Sequence, residues 1–328
     1  MVGIKMKAIL TFLGTASGTP TRARAHTCNL LEFENYSVLI DCGENCQRQL
    51  LLADKNCQKI DYILLTHWHI DHMSGLLPLL ASMDLNKREN PLFLFCPKPY
   101  ENFVKEQIAF FNNKFKWFHA KYIEDSGPVF GDDKLEVLCE KVEHSVLAFA
   151  YKIKLNFPVK VNVEKLEKIG LARGPKWNKL QSGCDVDCDG KTIKAKDVTF
   201  QKPPFSFVFS GDTILCKNFI SFAKEADVAV FESTYLKEDC VQSQSKSKKS
   251  SDAKEHICQL SNGDVVDDHY HMTADDAATA AKKAKVKQLI LTHFSARHPD
   301  TLLFENEAKK VFKNTSVAKD LKSVEFNL

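Results

Sequence analysis

The stretch Thr66-His67-Trp68-His69-Ile70-Asp71-His72 decides how the rest of this chain is read. It ends a short, almost continuous apolar run, residues 60–66, of the kind that forms a strand buried on both faces. Side chains at i and i+2 of an extended segment point the same way, so His67 and His69 can share one metal ion. Asp71 and His72, at the turn into the following helix, can then face a second. Imidazole nitrogen with carboxylate oxygen suits zinc and related borderline ions. One such histidine would be an ordinary surface or capping residue, whereas four ligand-type residues within six positions form a metal-binding pattern.

Working outward, further ligand-type residues follow other apolar runs. Ser210-Gly211-Asp212-Thr213 follows residues 205–209, Thr292-His293 follows residues 287–291, and His144 lies between two strand-like segments. Open α/β sheets hold their ligands at such places, at the carboxyl ends of strands or in adjoining loops. Residues 7–13, 28–33 and 36–41 read as strands, and 44–53 has helical spacing. Helical and strand-like segments then keep alternating through 73–83, 92–96, 99–111, 135–142, 147–155, 205–209, 228–231, 274–285 and 288–292. The expected class is α/β, with mixed sheets and helices outside.

Two stretches break the alternation. Residues 156–204 are Lys-rich, punctuated by Gly170, Gly174-Pro175, Gly183, Gly190 and Pro203-Pro204, and offer little apolar periodicity for a core, so they read as an excursion from one large domain. Residues 242–251, Gln-Ser-Gln-Ser-Lys-Ser-Lys-Lys-Ser-Ser, are expected to be a disordered, low-complexity surface loop.

Composition bounds the reading. With 328 residues, 44% hydrophobic and 27% charged, the chain is long enough for a large core and unlike a disordered, collagenous or coiled-coil sequence. No apolar run approaches the roughly 18 residues that cross a membrane, so a soluble protein without a membrane partner is expected. Eleven cysteines, an odd number without any CxxC pair, point to a reducing, cytoplasmic setting. The formal charge of +3 is close to neutral but unevenly spread: residues 151–200 carry eleven Lys and Arg against six Asp and Glu, a net +5, which leaves −2 for the remainder.

The motif His67, His69, Asp71, His72 meets in full the HxHxDH signature of the metallo-β-lactamase superfamily, which the chain resembles over roughly residues 7–325. The resemblance implies a four-layer αβ/βα sandwich with two zinc ions per subunit. His67, His69 and His144 would hold one, Asp71, His72 and His293 the other, with Asp212 bridging them and Asp41 standing behind as a supporting acid.

Three further features narrow the family. His271, in Tyr270-His271-Met272-Thr273 before a helix starting at Ala274, is a histidine beyond those ligands that could act as a general acid. The loop Thr15-Ala16-Ser17-Gly18-Thr19-Pro20 can offer backbone N–H groups to a phosphate, with Thr15, Ser17 and Thr19 as candidate contacts. Within the excursion, Gly174, Pro175, Trp177 and Lys179 combine a turn, an aromatic and a cation suited to a sugar-phosphate backbone.

With Phe12-Leu13-Gly14-Thr15 at the start and Leu291-Thr292-His293-Phe294-Ser295-Ala296-Arg297 near the end, these features are similar to the ribonuclease Z family, endonucleases that remove the 3′ trailer from precursor tRNA. That family usually has serine where this chain has Met272. The resemblance implies a cut after the discriminator nucleotide that leaves a 3′-hydroxyl, with Asp71 taking the proton of the attacking water and His271 protonating the departing 3′ oxygen. Arg297 would orient the RNA end, and residues 156–204 would be the family's flexible arm. The length matches the short form, a homodimer in which one subunit's arm clamps tRNA at the other's active site. A small-molecule phosphodiesterase or thioester hydrolase would use the same metals without a basic arm, and a catalytically silent tRNA-binding relative would keep the arm without the ligands.

Overall fold

A computed structural model describes residues 6–111, 114–188, 190–239 and 270–328, so the loop expected at 242–251 lies outside the described residues. The chain forms two compact units, one of residues 1–129, 137–153 and 206–328, the other of residues 130–136 and 154–205.

The architecture is built on two seven-stranded sheets. In spatial order the first runs Lys322–Asn327, Lys7–Gly14, Cys28–Phe33, Tyr36–Ile40, Tyr62–Leu64, Leu92–Pro97, Phe118–Ile123, and the second Thr315–Val317, Gln288–Thr292, Val228–Glu232, Phe205–Phe209, Ala148–Leu155, Leu135–Val142, Gly127–Gly131. The first is antiparallel from Lys322–Asn327 to Tyr36–Ile40 and parallel beyond, and the second is parallel across its first four strands. The sheets face each other: the buried Tyr151 donates its hydroxyl to Leu65 O (2.9 Å), Phe149 N donates to Thr66 O (2.9 Å), and the Phe207 and Phe326 rings meet at 5.1 Å.

Helices cover the outer faces because alternate strand residues point outward as apolar side chains. Leu39, Ile63, Leu65 and Leu94 pack under the helices Cys46–Leu52, Leu76–Leu85 and Glu101–Phe110 through Leu50, Leu79, Leu80, Met83 and Val104. Ala229, Phe231, Leu289 and Leu291 do the same under Lys217–Phe222, Ala274–Ala284 and Leu302–Lys309, where a run of buried alanines lets the helix Ala274–Ala284 lie close. Met272 is buried in this second cluster, so its thioether fills core volume. The result is an αβ/βα sandwich.

The second unit differs from the coreless excursion expected. The helices Val163–Lys168 and Pro175–Gln181 and two small ribbons, Lys160–Val161 with Thr199–Phe200 and Val186–Cys188 with Lys191–Ile193, close over Leu166, Leu171, Leu180, Val186, Ala195 and Val198. Each element contributes only one or two apolar residues, too few for a periodic stripe in the sequence, yet enough for a small shared core.

Candidate metal centre

Parallel strands end on one side of a sheet, and that geometry gathers the site. Asp41 follows Tyr36–Ile40 and His67 follows Tyr62–Leu64 in the first sheet, while Asp212, Glu232 and His293 sit at the ends of three adjacent strands of the second. Asp41 and His293 take left-handed backbone conformations (φ 59° and 61°) that turn the chain sharply at the strand ends, a strained arrangement for non-glycine residues that functional sites tolerate. Gly43 is needed for the close approach of the next turn, since a Cβ there would lie 2.3 Å from Asp71 O and 2.5 Å from the His26 Cβ.

All seven residues expected as ligands converge. One ligand atom each from His67, His69, His144 and Asp212 lie within 4.8 Å of one another, as do those of Asp71, His72 and His293. Asp212 faces both sets: its Oδ2 is 3.5 Å from His67 Nε2 and 3.2 Å from His72 Nε2, and its Oδ1 is 3.4 Å from His293 Nε2.

The donor set fits a metal. His67 Nε2 is buried without a hydrogen-bond partner, and two pairs of ring nitrogens face each other at 3.1 Å, His72 Nε2 with His293 Nε2 and His69 Nδ1 with His144 Nε2. At the same time, outward-facing nitrogens are tied: His72 Nδ1 to Asp41 Oδ2 (2.8 Å), His67 Nδ1 to the Thr66 hydroxyl (3.0 Å), His293 Nδ1 to the Thr234 hydroxyl (2.9 Å) and His144 Nδ1 to Tyr270 O (3.0 Å). Anchoring one ring nitrogen so that the other points inward is how proteins orient ligating histidines. Burial and the neighbouring His72 push the His67 pKa down and leave its ring neutral, as ligation requires. Burial opposes the charge on Asp71, but His72 and His293 outweigh it and hold the carboxyl well below the usual range.

His271 lies at the edge of this cluster, its side chain 18% exposed, with Nδ1 3.0 Å from Glu232 Oε1 and 3.7 Å from Asp212 Oδ2. Burial works against its charge, yet Glu232 and Asp212 raise its pKa to about 9. Glu232 was not singled out from the sequence. It is buried, accepts from Thr213 N (3.0 Å) and from the Thr234 amide and hydroxyl (3.1 and 2.7 Å), and so fixes the His271 ring. Its sequence signal is an acid closing the apolar run Val228-Ala229-Val230-Phe231.

The hydroxyl-rich loop serves the cluster more than it serves a phosphate. Thr15 is fully buried and donates its hydroxyl to Asp320 Oδ1 (2.7 Å), so it is a structural residue and not the RNA contact expected. The Gly18 amide donates to Asp71 Oδ2 (2.7 Å) and the Thr19 amide to Ser17 O, so neither of these N–H groups is free for a phosphate. Ser17 is part-exposed and the Thr19 side chain exposed. Arg297 is exposed with its guanidinium 5.7 Å from the Tyr235 ring, which in turn lies 6.0 Å from His271. In the second unit, Gly174 precedes the helix Pro175–Gln181, Trp177 donates to Leu171 O (3.2 Å), and Lys179 is exposed. Arg173, Trp177, Asn178, Gln181 and Lys160 line a cavity of about 960 Å³ there.

A family profile described as Beta-lactamase superfamily domain matches residues 190–294, and one described as Anti-Pycsar protein Apyc1 matches residues 8–108. Among solved structures, human tRNase Z, short form, superposes with a TM-score of 0.63 at 19% identity, covering 96% of this chain and 98% of that one. The metallo-β-lactamase fold protein YhfI from Bacillus subtilis gives 0.64 at 19% identity, covering 98% and 100%. These likenesses establish the metallo-β-lactamase fold. Curated relatives named Ribonuclease Z are closer in sequence: that of Nitrosopumilus maritimus is 34% identical over 319 residues, 96% of this chain and 99% of the relative, and that of Bacillus subtilis is 34% identical over 325 residues, 96% and 98%. Identity at that level along nearly the whole of both chains shows that this chain belongs to the ribonuclease Z family.

Proposed function

We propose that this chain is a metal-dependent endoribonuclease that cuts the 3′ trailer from precursor tRNA after the discriminator nucleotide and leaves a 3′-hydroxyl. The observation that carries the reading is a pair of candidate ligand sets that both face Asp212, with a histidine held by Glu232 at their edge. His67, His69 and His144 would hold one zinc ion and Asp71, His72 and His293 the other. Zinc bound there supplies a more acidic attacking water and neutralises charge on the phosphoryl oxygens. The chain's own groups do the rest. Asp71, oriented by the Gly18 amide, takes the proton of the attacking water. His271, protonated at neutral pH, gives its proton to the departing 3′ oxygen, the role for which a pKa of about 9 suits it. Arg297, exposed beside Tyr235, would steer the RNA end.

The basic segment favours RNA over a small phosphodiester or thioester, because neither small substrate needs a separate folded unit carrying positive charge. A silent tRNA-binding relative would have lost ligands, and all seven are here. We further propose that Gly174, Pro175, Trp177 and Lys179 grip the tRNA, that the enzyme is a homodimer, and that it works in the cytoplasm. The nine described cysteines are free, and no helix among the described residues is long and apolar enough to cross a membrane.

The deciding experiment maps the ends of products from a labelled precursor tRNA, with and without chelator. Mature-length tRNA ending in a 3′-hydroxyl, lost on chelation and restored by zinc, is expected. A product ending in a 3′-phosphate, or cleavage indifferent to chelator, would overturn the reading.

A further inference from the structure

The loop after the strand Lys7–Gly14 meets the candidate ligands at Gly18, and a histidine that the metal chemistry leaves unused holds Gly18 from behind. The Gly18 amide donates to Asp71 Oδ2 (2.7 Å), while its carbonyl accepts from His26 Nε2 (3.2 Å). A carbonyl can only accept, so Nε2 carries the ring proton and Nδ1, buried without a hydrogen-bond partner, is left as the lone pair. His26 is buried, and Gly43 packs between its side chain and the Asp71 backbone. Gly18 sits at φ 59° and the Thr19 amide returns to Ser17 O, which closes a tight three-residue turn of a strained kind. Such a turn persists where its surroundings over-determine it. Here they do: Asp320 accepts the Thr15 hydroxyl on Oδ1 and the Ala25 amide on Oδ2 (2.7 Å each), and Ala16 N donates to Ala25 O (2.8 Å), so both ends of the loop are pinned. Within it, Ala16–Ser17 pairs in parallel with Phe294–Ser295, the strand that starts directly after His293.

Resting on the two-metal reading above, we propose that His26 is a positioning residue for Asp71: by gripping Gly18 O it keeps the Gly18 amide on the Asp71 carboxylate and so sets the metal affinity of the Asp71, His72 and His293 set. A carboxylate that both ligates a metal and takes a proton has to keep one orientation, and the Gly18 amide fixes that of Asp71. The direction of this amide depends on the turn. Glycine's conformational freedom, which allows the turn to form, equally allows it to relax once the carbonyl is released. His26 reaches the ligands by way of Asp71, so its effect belongs to one ligand set and not to both.

The test uses full-length protein stripped of metal and titrated with zinc against a chromophoric chelator. Wild type should bind two ions. H26L keeps the volume and removes the donor; it should weaken one of the two ions by about tenfold, the size of a lost outer-shell partner, and leave the other unchanged. H26Q, whose side-chain amide can again donate to Gly18 O, should restore the affinity, and H26A replaces H26L should the leucine variant fail to fold. Two single-site backgrounds assign the weakened ion. On H144A, where the Asp71 set is intact, H26L should keep its tenfold effect; on H293A, where that set is broken, the effect should vanish. Equal weakening on both backgrounds would make His26 a support of the fold alone and overturn the proposal, as would no weakening on either. With zinc saturating, H26L should lower kcat on precursor tRNA and leave KM near the wild-type value; a raised KM with kcat kept would overturn the link to Asp71. A wild type that shows the expected zinc pattern yet is inert on every precursor would strike down the proposed function and leave the role of His26 standing.

Discussion

At the scale of single residues, the division of labour between Asp71 and His271 makes separable predictions. His271 touches the candidate ligand set only from its edge, so H271A should retain zinc near the wild-type level while turnover on precursor tRNA falls by roughly 10²-fold or more, the size of lost acid catalysis. Metal analysis and steady-state kinetics on the same preparation check this, and normal turnover would remove His271 from the mechanism. Glu232 acts through His271 and is a positioning residue. An acid must be protonated to work, so activity should fall as the pH rises through about 9, where the His271 proton leaves. Replacing Glu232 by Gln removes a carboxylate that holds this pKa up, so the alkaline limb should begin at lower pH while zinc content holds; an unmoved limb would detach Glu232 from the proton donor. The candidate ligand cluster was legible in the sequence because four of its residues crowd into six positions and others follow apolar runs. Glu232 was not, because an acid at a strand end looks the same whether it caps, solvates or holds a histidine. Thr15 was misread for the converse reason: a hydroxyl in a turn advertises binding, and only the fold reveals that Asp320 takes it.

At the scale of elements, the inner strands were readable, and Cys28–Phe33, Leu135–Val142, Phe205–Phe209 and Gln288–Thr292 fall where the sequence puts them. The edges were not. Lys322–Asn327 is largely exposed and pairs only with Lys7–Gly14, so its sequence carries charge where an inner strand would carry valine or isoleucine. Lys217–Phe222, six residues long, is less than two turns and leaves no periodic trace. The basic segment taught a different lesson, since its core is assembled from Leu166 and Leu180 on separate helices and Leu171 in the link between them, and was invisible to any window that scanned one element at a time. That it forms a compact unit of its own sharpens the deletion experiment. Removing residues 160–196 should raise the Michaelis constant for precursor tRNA and flatten its dependence on salt, because the cations that displace counterions from RNA are gone. Hydrolysis of bis(p-nitrophenyl) phosphate should survive. Loss of both activities together would mean that the segment supports the catalytic fold and is not an RNA-binding arm.

At the scale of the whole molecule, the fold by itself does not select a substrate, since the same sandwich is shared with solved proteins as different as a PhnP-family diphosphatase and yeast PDE1. Selection must come from what is added to it, and the charge distribution says where: a near-neutral total of +3 divides into +5 over residues 151–200 and −2 over the rest. If the enzyme is the homodimer proposed, and its basic arm serves the partner's active site as the family resemblance implies, the two functions can be put on different subunits. One subunit lacks residues 160–196 and keeps its ligands; the other carries H271A and keeps its arm. Each homodimer should be nearly inactive on precursor tRNA, the first for want of binding and the second for want of an acid. Co-expressed and purified through two different tags, the mixed dimer should regain up to about half the wild-type turnover, because one intact site is served by one intact arm. An arm that serves its own subunit predicts no recovery, since the intact site and the intact arm would then never meet, and a mixed species that cannot be isolated at all, with each chain sedimenting as a monomer, would refute the dimer.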